Sequence, residues 1–311
     1  MSLPAASSSL RLLLESGKAD RPPVLFWKHF ATDEPRRLAH ETVAFYRQFQ
    51  LSAAKLMPDI PLMFKPHALA SWTQVSQLRQ FGPIDSVSGA ADYLRAVELT
   101  RAELEPSDML LATVYSPLGL IWTWCGQNGS GIRELADGSR SEAHAVLWAL
   151  AEMVKSLAAG CVQSGADGIY YASGGQDILT TEEYQELGVP YDLAGLRGAV
   201  GAEVRLLHVH GSVDGDAERY ASYPVQVVGW SETESNLSLV DGARALPGMI
   251  MMGGISERAS AAQSSIVAEA GRRIGELAGQ LGPRFVVAPG CSLPDGTSDE
   301  TMAALRALVR E

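Results

Sequence analysis

Two histidines one residue apart, His208 and His210 in LLHVHGSVD, and a lone cysteine, Cys291 in VVAPGCSLPDG, are the side chains best suited to chemistry. Imidazole nitrogen and thiolate sulfur are ligands that zinc favours, and three of them leave a fourth tetrahedral position for substrate. In an extended LLHVH segment the side chains alternate, so Leu206, His208 and His210 point one way while Leu207 and Val209 point the other. Each site ends a short apolar run and leads into a glycine-containing turn. In a barrel of alternating strands and helices such ends gather on one face, however far apart they lie in sequence. The spacing fits no short zinc-finger pattern, so the metal reading depends on the fold. Singly, each residue has a plainer role open to it: His208 as a hydrogen-bonded barrel residue, Cys291 as a small core side chain.

Other residues at the ends of apolar runs are candidates for the same site. Glu232 in GWSETESN is placed to supply a fourth oxygen ligand or a general base, or to act as a carboxylate at a helix N-terminus. Asp59 in LMPDIP is either a turn residue or a catalytic carboxylate. Lys28 and His29 in FWKHF are placed to meet an anionic group of a substrate. Ser173-Gly174-Gly175-Gln176 offers backbone N–H groups beside a hydroxyl, an anion-binding pattern. Tyr115, Trp122 and Trp124 in VYSPLGLIWTWCG are suited to walling a flat ligand or to packing beneath a loop.

These residues need elements to position them. Eight apolar runs read as strands: 23–27, 53–57, 109–115, 168–172, 204–209, 225–230, 248–253 and 284–289. Several are too continuously apolar for a half-exposed antiparallel sheet and suit parallel strands buried on both faces. Helical periodicity covers 140–164 and 257–281, the second ended by Gly282-Pro283. Thr297 and Glu300 fit a capping box that opens a last helix running to Leu308. Eight such units predict one (β/α)8 barrel domain over residues 1–311, with its active site at the C-terminal ends of the strands. An open doubly wound sheet is the rival, but no GxGxxG turn follows the first run. The less regular stretch 59–108, with a helical pattern over 89–105, reads as a lid over the barrel mouth.

The 311 residues are 46% hydrophobic with a net charge of −11, which gives length for a large core and a surface that repels nucleic acid and anionic membranes. Three cysteines with no close pair suit a reduced, cytoplasmic protein. The N-terminus lacks the charge and apolar pattern of a signal peptide, and no run of consecutive apolar residues is long enough to predict a membrane span.

Motifs along nearly the whole chain resemble the uroporphyrinogen decarboxylase superfamily, which also holds methyltransferases acting with corrinoid proteins and coenzyme M. GKADRPPVLFW resembles the family's entry to its first strand, GADGIYYAS a strand ending in a substrate-contacting serine (Ser173), and MIMMGGIS and APGCSLPDGTSDE its later turns. LSAAKLMPDI is similar to the decarboxylase stretch whose aspartate binds pyrrole nitrogens, which implies that role for Asp59. The decarboxylases' RQAGR-type loop is replaced by KHFATDEPRR, with Lys28 in the first arginine's place, and their C-terminal histidine by Cys291. The methyltransferase branch holds zinc with an H-x-C pair and a later cysteine. His208, His210 and Cys291 resemble that set, with histidine for its first cysteine. The closer resemblance therefore implies a zinc-dependent methyltransferase that activates a thiol or oxygen nucleophile. Its donor would be a methyl-corrinoid and its partner a corrinoid protein; separately, helices on the outside of a barrel offer a surface for a homodimer. The alternatives are a decarboxylase using Asp59 with Lys28, Tyr115 and Ser173, and a catalytically silent ligand-binding barrel.

Overall fold

The computed structural model describes residues 7–62, 89–125, 129–213, 216–257, 263–294 and 296–309. Seven strands form one parallel sheet: β1 (Ala54–Leu56), β2 (Leu110–Tyr115), β3 (Gly168–Ser173), β4 (Val204–Val209), β5 (Val227–Trp230), β6 (Ile250–Ile255) and β7 (Phe285–Pro289). Each pairs with its predecessor in chain order. The helices are α1 (Ser7–Ser16), α2 (Pro35–Phe49), α3 (Ala90–Glu103), α4 (Pro117–Trp124), α5 (Ser130–Asp137) and α6 (Arg140–Gln163). They continue with α7 (Thr181–Leu187), α8 (Val189–Leu196), α9 (Leu239–Ala245), α10 (Gln263–Leu281) and α11 (Asp299–Ala307).

The eighth expected strand, 23–27, is reduced to a single bridge, Val24 to Val287. Pro22 and Pro23 have no N–H to give a ladder, which cuts the pairing short. What remains is held on both sides. Leu25 N donates to Val287 O and Val287 N to Pro23 O, while Ser52 N, just before β1, donates to Val24 O at 2.8 Å.

Alternation along the strands sorts the core into two sets. Met109, Leu111, Tyr170, Leu206, Val227, Met252 and Val286 face inward together. Their immediate neighbours Leu110, Ala112, Tyr171, Leu207, Val228, Met251 and Phe285 face the surrounding helices. Burial on both faces explains why the strands read as unbroken apolar runs. Helix α1 joins the inner set through Leu10 and Leu13, both fully buried. Arg11 on the same helix reaches Ser107 O and the Glu203 carboxylate, which precede β2 and β4. The helix thus closes the N-terminal end of the strands, and any open site must lie at the other end.

Part of the expected lid is something else. The helix anticipated at 89–105 forms as α3, but it packs against α2 and β2 on the outer face. Tyr93 on this helix is fully buried, and its hydroxyl donates to Thr113 O at 2.8 Å while accepting from Thr113 N at 2.9 Å. It is the crossover between β1 and β2; residues 63–88 lie outside the described residues. The last helix begins one residue later than expected, and Ser298, not Thr297, caps it by accepting from Thr301 N. Helix α6 is long and apolar enough to cross a membrane by length and composition, yet half of its apolar window is buried inside the fold. Its contacts are with α8, β2 and β3, the pattern of a core helix.

Asp192 of α8 locks the outer layer. It is buried and accepts from the hydroxyls of Tyr223 (2.6 Å), Tyr184 (2.9 Å) and Tyr171 (3.3 Å). Burial raises its carboxyl from 3.8 to about 6, against the lowering effect of the three phenols. The folded protein therefore keeps a proton that the unfolded chain loses between pH 4 and 6. This group's contribution to stability falls as pH rises through that window and is flat above it. At 1.36 kcal/mol per tenfold the decline is roughly 3 kcal/mol. Urea unfolding at pH 4 and pH 7 should show Asp192→Asn gaining about that much relative to wild type at the higher pH. Parallel pH dependence of the two proteins would contradict this.

Candidate metal centre

His208 lies on the inner face of β4, as its parity requires, and is buried between the rings of Tyr170 (centroids 5.7 Å apart) and Trp27 (6.3 Å). His210 stands just beyond the strand. Its N–H donates to Ser173 O, its carbonyl accepts from Gln176 Nε2 at 2.5 Å, and its ring meets Trp122 edge-on at 4.6 Å. The turn then passes through Gly211 at φ 89, where a Cβ would sit 2.4 Å from an Asp177 oxygen. Only glycine fits both that backbone and that neighbour.

Cys291 follows β7, and its Sγ is 3.5 Å from His210 Nδ1. Ligand atoms of His208, His210 and Cys291 all lie within 4.8 Å of one another. Gly290 makes the cysteine's approach possible, since a Cβ there would stand 2.3 Å from Glu257 Oε2 and 2.8 Å from Ser231 Cα.

Burial sets the protonation of the trio. It holds His208 well below the ordinary histidine range, helped by the nearby His210 and Lys55, and it lowers His210 as well. Both rings are therefore neutral at pH 7 with lone pairs to give. Burial also pushes the Cys291 thiol up, so without a cation it stays protonated. A divalent ion would displace that proton.

The trio lines a cavity of about 230 Å³ that also takes in His29, Tyr115, Trp122 and Ser173. Tyr115 is pushed up to about 12 by burial, so it remains a hydroxyl donor. Ser173 is held by the strand, its Oγ donating to His208 O at 3.3 Å. Lys28 and Asp59 line a wider opening that shares His29 and Tyr115 with the cavity. Both Asp59 oxygens are engaged, by His29 Nδ1 at 2.5 Å and Phe30 N at 2.7 Å. Lys28 rests over the rings of Phe45 and Phe30.

One expectation needs correction. Glu232 does not line the cavity; it accepts from Leu239 N at the start of α9 and from two Arg273 nitrogens at 2.5 and 3.0 Å. Its helix-terminal role prevails because an N–H and a guanidinium satisfy it there. Of the two roles open to Trp124, packing beneath a loop is the one found: it is buried and donates to Leu62 O. In the Ser173–Gln176 turn the Gln176 side chain braces the His210 carbonyl, while Ser173 and Gly174 line the cavity.

Sequence reasoning missed Lys55, Thr113, Tyr170 and Glu257. Lys55 sits between Ala53 and Met57 in AAKLM, and the alternation applied to His208 would have placed it inside. It is buried, lowered to about 7 by that burial, and its Nζ lies 4.1 Å over the Tyr170 ring and 4.9 Å over Trp27. Glu257, just after β6, accepts from the Ser231 and Thr233 hydroxyls through Oε1, while its buried Oε2 has no partner.

The chain belongs to the uroporphyrinogen decarboxylase (URO-D) family, whose model matches residues 31–311. Its fold is similar to that of a methyltransferase from Methanosarcina mazei, with TM-score 0.74, 16% identity and 98% of each chain covered. It is also similar to a B12-independent methionine synthase from Shewanella sp. W3-18-1 in complex with selenomethionine. There the TM-score is 0.59 and the identity 10%, over 93% of this chain and 91% of that one. No curated protein matches the chain.

Glu232→Gln separates its structural from its proposed catalytic role. It should lower unfolding stability by about 1–2 kcal/mol through the lost charge on Arg273 and the helix terminus, and leave metal content unchanged. Loss of metal in a folded variant would overturn that assignment.

Proposed function

We propose that this chain is a zinc-dependent methyltransferase of the uroporphyrinogen decarboxylase family. The observation that carries the reading is the meeting of two imidazoles and a thiol, from the ends of β4 and β7, within 4.8 Å. The donor set fits zinc: both rings are kept neutral by burial, and the thiol stands 3.5 Å from His210 Nδ1. His208, His210 and Cys291 would hold the ion. Zinc bound there supplies Lewis acidity that lowers the pKa of a thiol or oxygen nucleophile.

The chain's own residues do the rest. Gln176 and Trp122 fix the His210 backbone and ring, so the ligand does not have to be ordered when metal arrives. Cys291 would hold the ion as a thiolate, its proton passing to solvent. Trp27, Trp122 and Tyr170 wall the cavity with aromatic surface, which excludes water from a nucleophile awaiting a methyl group. Tyr115 stands at the mouth as a protonated donor. A methyl-corrinoid, carried by a corrinoid protein, is the donor in this reading. The hydrogen bonds that join Pro23–Leu25 to Val287 on one side and to Ser52 on the other support reading the seven-stranded sheet as part of a (β/α)8 barrel. A decarboxylase reading would need Asp59 free to meet a pyrrole, and its oxygens are engaged by His29 and Phe30.

Elemental analysis of protein purified without chelator should find about one zinc per chain in wild type and nearly none in Cys291→Ser, since loss of one of three ligands costs orders of magnitude in affinity. Zinc-free wild type that takes up none on reconstitution would refute the proposal.

A further inference from the structure

The β1–β3 wall of the cavity carries polar groups that, among the described residues, have weak partners or none. Lys55 buries a whole side chain on the inner face of β1. Among the described residues no carboxylate pairs with it; it reaches the thioether sulfur of Met57 at 2.9 Å and the faces of Tyr170 and Trp27. Thioether and ring faces are weak partners for an ammonium, and burying such a charge without an anion is costly. Beside it, Thr113 of β2 and Tyr170 of β3 are register partners. Both point inward, and both hydroxyls are buried without a hydrogen-bond partner. The Thr113 backbone N–H and carbonyl are already met by Tyr93, so the hydroxyl is the group left over. All three side chains line the cavity that His208, His210 and Cys291 line from the other strands.

We infer that Lys55, Thr113 and Tyr170 form a carboxylate-binding subsite, and that the molecule acted on is a small carboxylic acid whose nucleophilic atom lies a few bonds from that group. The inference deepens the methyltransferase reading and rests on it for the nucleophile. The subsite itself stands on the three unused groups. A carboxylate accepts from an ammonium and two hydroxyls at once, supplying both the missing countercharge and the missing acceptors. A cation on two neutral imidazoles and one thiolate adds further positive charge to the same cavity, so an anion entering it is drawn by both walls. The cavity volume of about 230 Å³ and its aromatic lining suit a short apolar spacer between the two ends. A bulky polycarboxylate does not fit that description.

Calorimetric titration of the zinc-loaded protein with 3-mercaptopropionate and with 3-mercapto-1-propanol tests the subsite. The acid should bind at least about ten-fold more tightly than the alcohol, and Lys55→Met should reduce that preference to less than about two-fold. Thr113→Val and Tyr170→Phe should each weaken the acid by about three- to ten-fold while leaving the melting temperature equal or higher, because each removes a buried hydroxyl with no partner. These two variants decide the matter should Lys55→Met fail to fold. Propionate, which has no thiol, separates the subsite from the metal: with EDTA-treated protein it should raise the melting temperature of wild type and not of Lys55→Met. Equal affinity of wild type for acid and alcohol, or no thermal shift with propionate, overturns the subsite. Failure to bind zinc, with the propionate shift intact, overturns the methyltransferase reading and leaves the subsite standing.

Discussion

Strict alternation of side chains along parallel strands is the constraint on which the site depends. Each strand sends every second residue inward, and what those residues are changes along its length. Near the strand starts they are Met109, Leu111, Val204, Leu206 and Val227, sealed below by Leu10 and Leu13 of α1. Near the strand ends they become Thr113, Tyr115, His208 and then His210, with Lys55 on the short β1. The apolar floor closes one end, so polar groups gather at the other. Two strands far apart in sequence can then aim ligands at one place, because β4 and β7 end in the same layer.

The same burial governs the electrostatics. A low-dielectric cavity penalises every charged form, so it holds His208 and His210 neutral, keeps Cys291 protonated and brings Lys55 down to about 7. Neutral imidazoles are what a metal needs, whereas a protonated thiol must yield to one. The site is therefore poised between a resting state with little net charge and a loaded state with excess positive charge, and a small anion is the natural complement of the second. Asp59 and Glu232 are not that complement, being taken by His29 with Phe30 N and by Arg273 with Leu239 N.

Much of this was legible in the residues, where local pattern alone decides. The parity of Leu206, His208 and His210 follows from spacing, and the ends of β4 and β7 are marked by the glycines after them. Seven of the eight anticipated strands form, because a parallel strand buried on both faces announces itself as an apolar run. What was not legible depends on partners remote in sequence. The shortening at residues 23–27 comes from prolines that were visible but were read as part of the strand. Helix α3 reads as lid from its sequence because nothing local shows that Tyr93 will bond both backbone groups of Thr113. For Glu232 the pattern leaves ligand, base and helix-terminal roles open, because Arg273, which captures it, lies on α10. Alternation with Ala53 and Met57 points Lys55 inward, but a single lysine in an apolar run carries no local sign that it faces a cavity.

The account turns on a sulfur and two imidazole nitrogens sharing one ion. Zinc-edge X-ray absorption of the metal-loaded wild type measures that directly. It should show one sulfur at about 2.3 Å and nitrogen or oxygen neighbours at about 2.0–2.1 Å, four ligands in all. A first shell of light atoms alone, with no sulfur, would mean that Cys291 does not hold the metal and would contradict the site described.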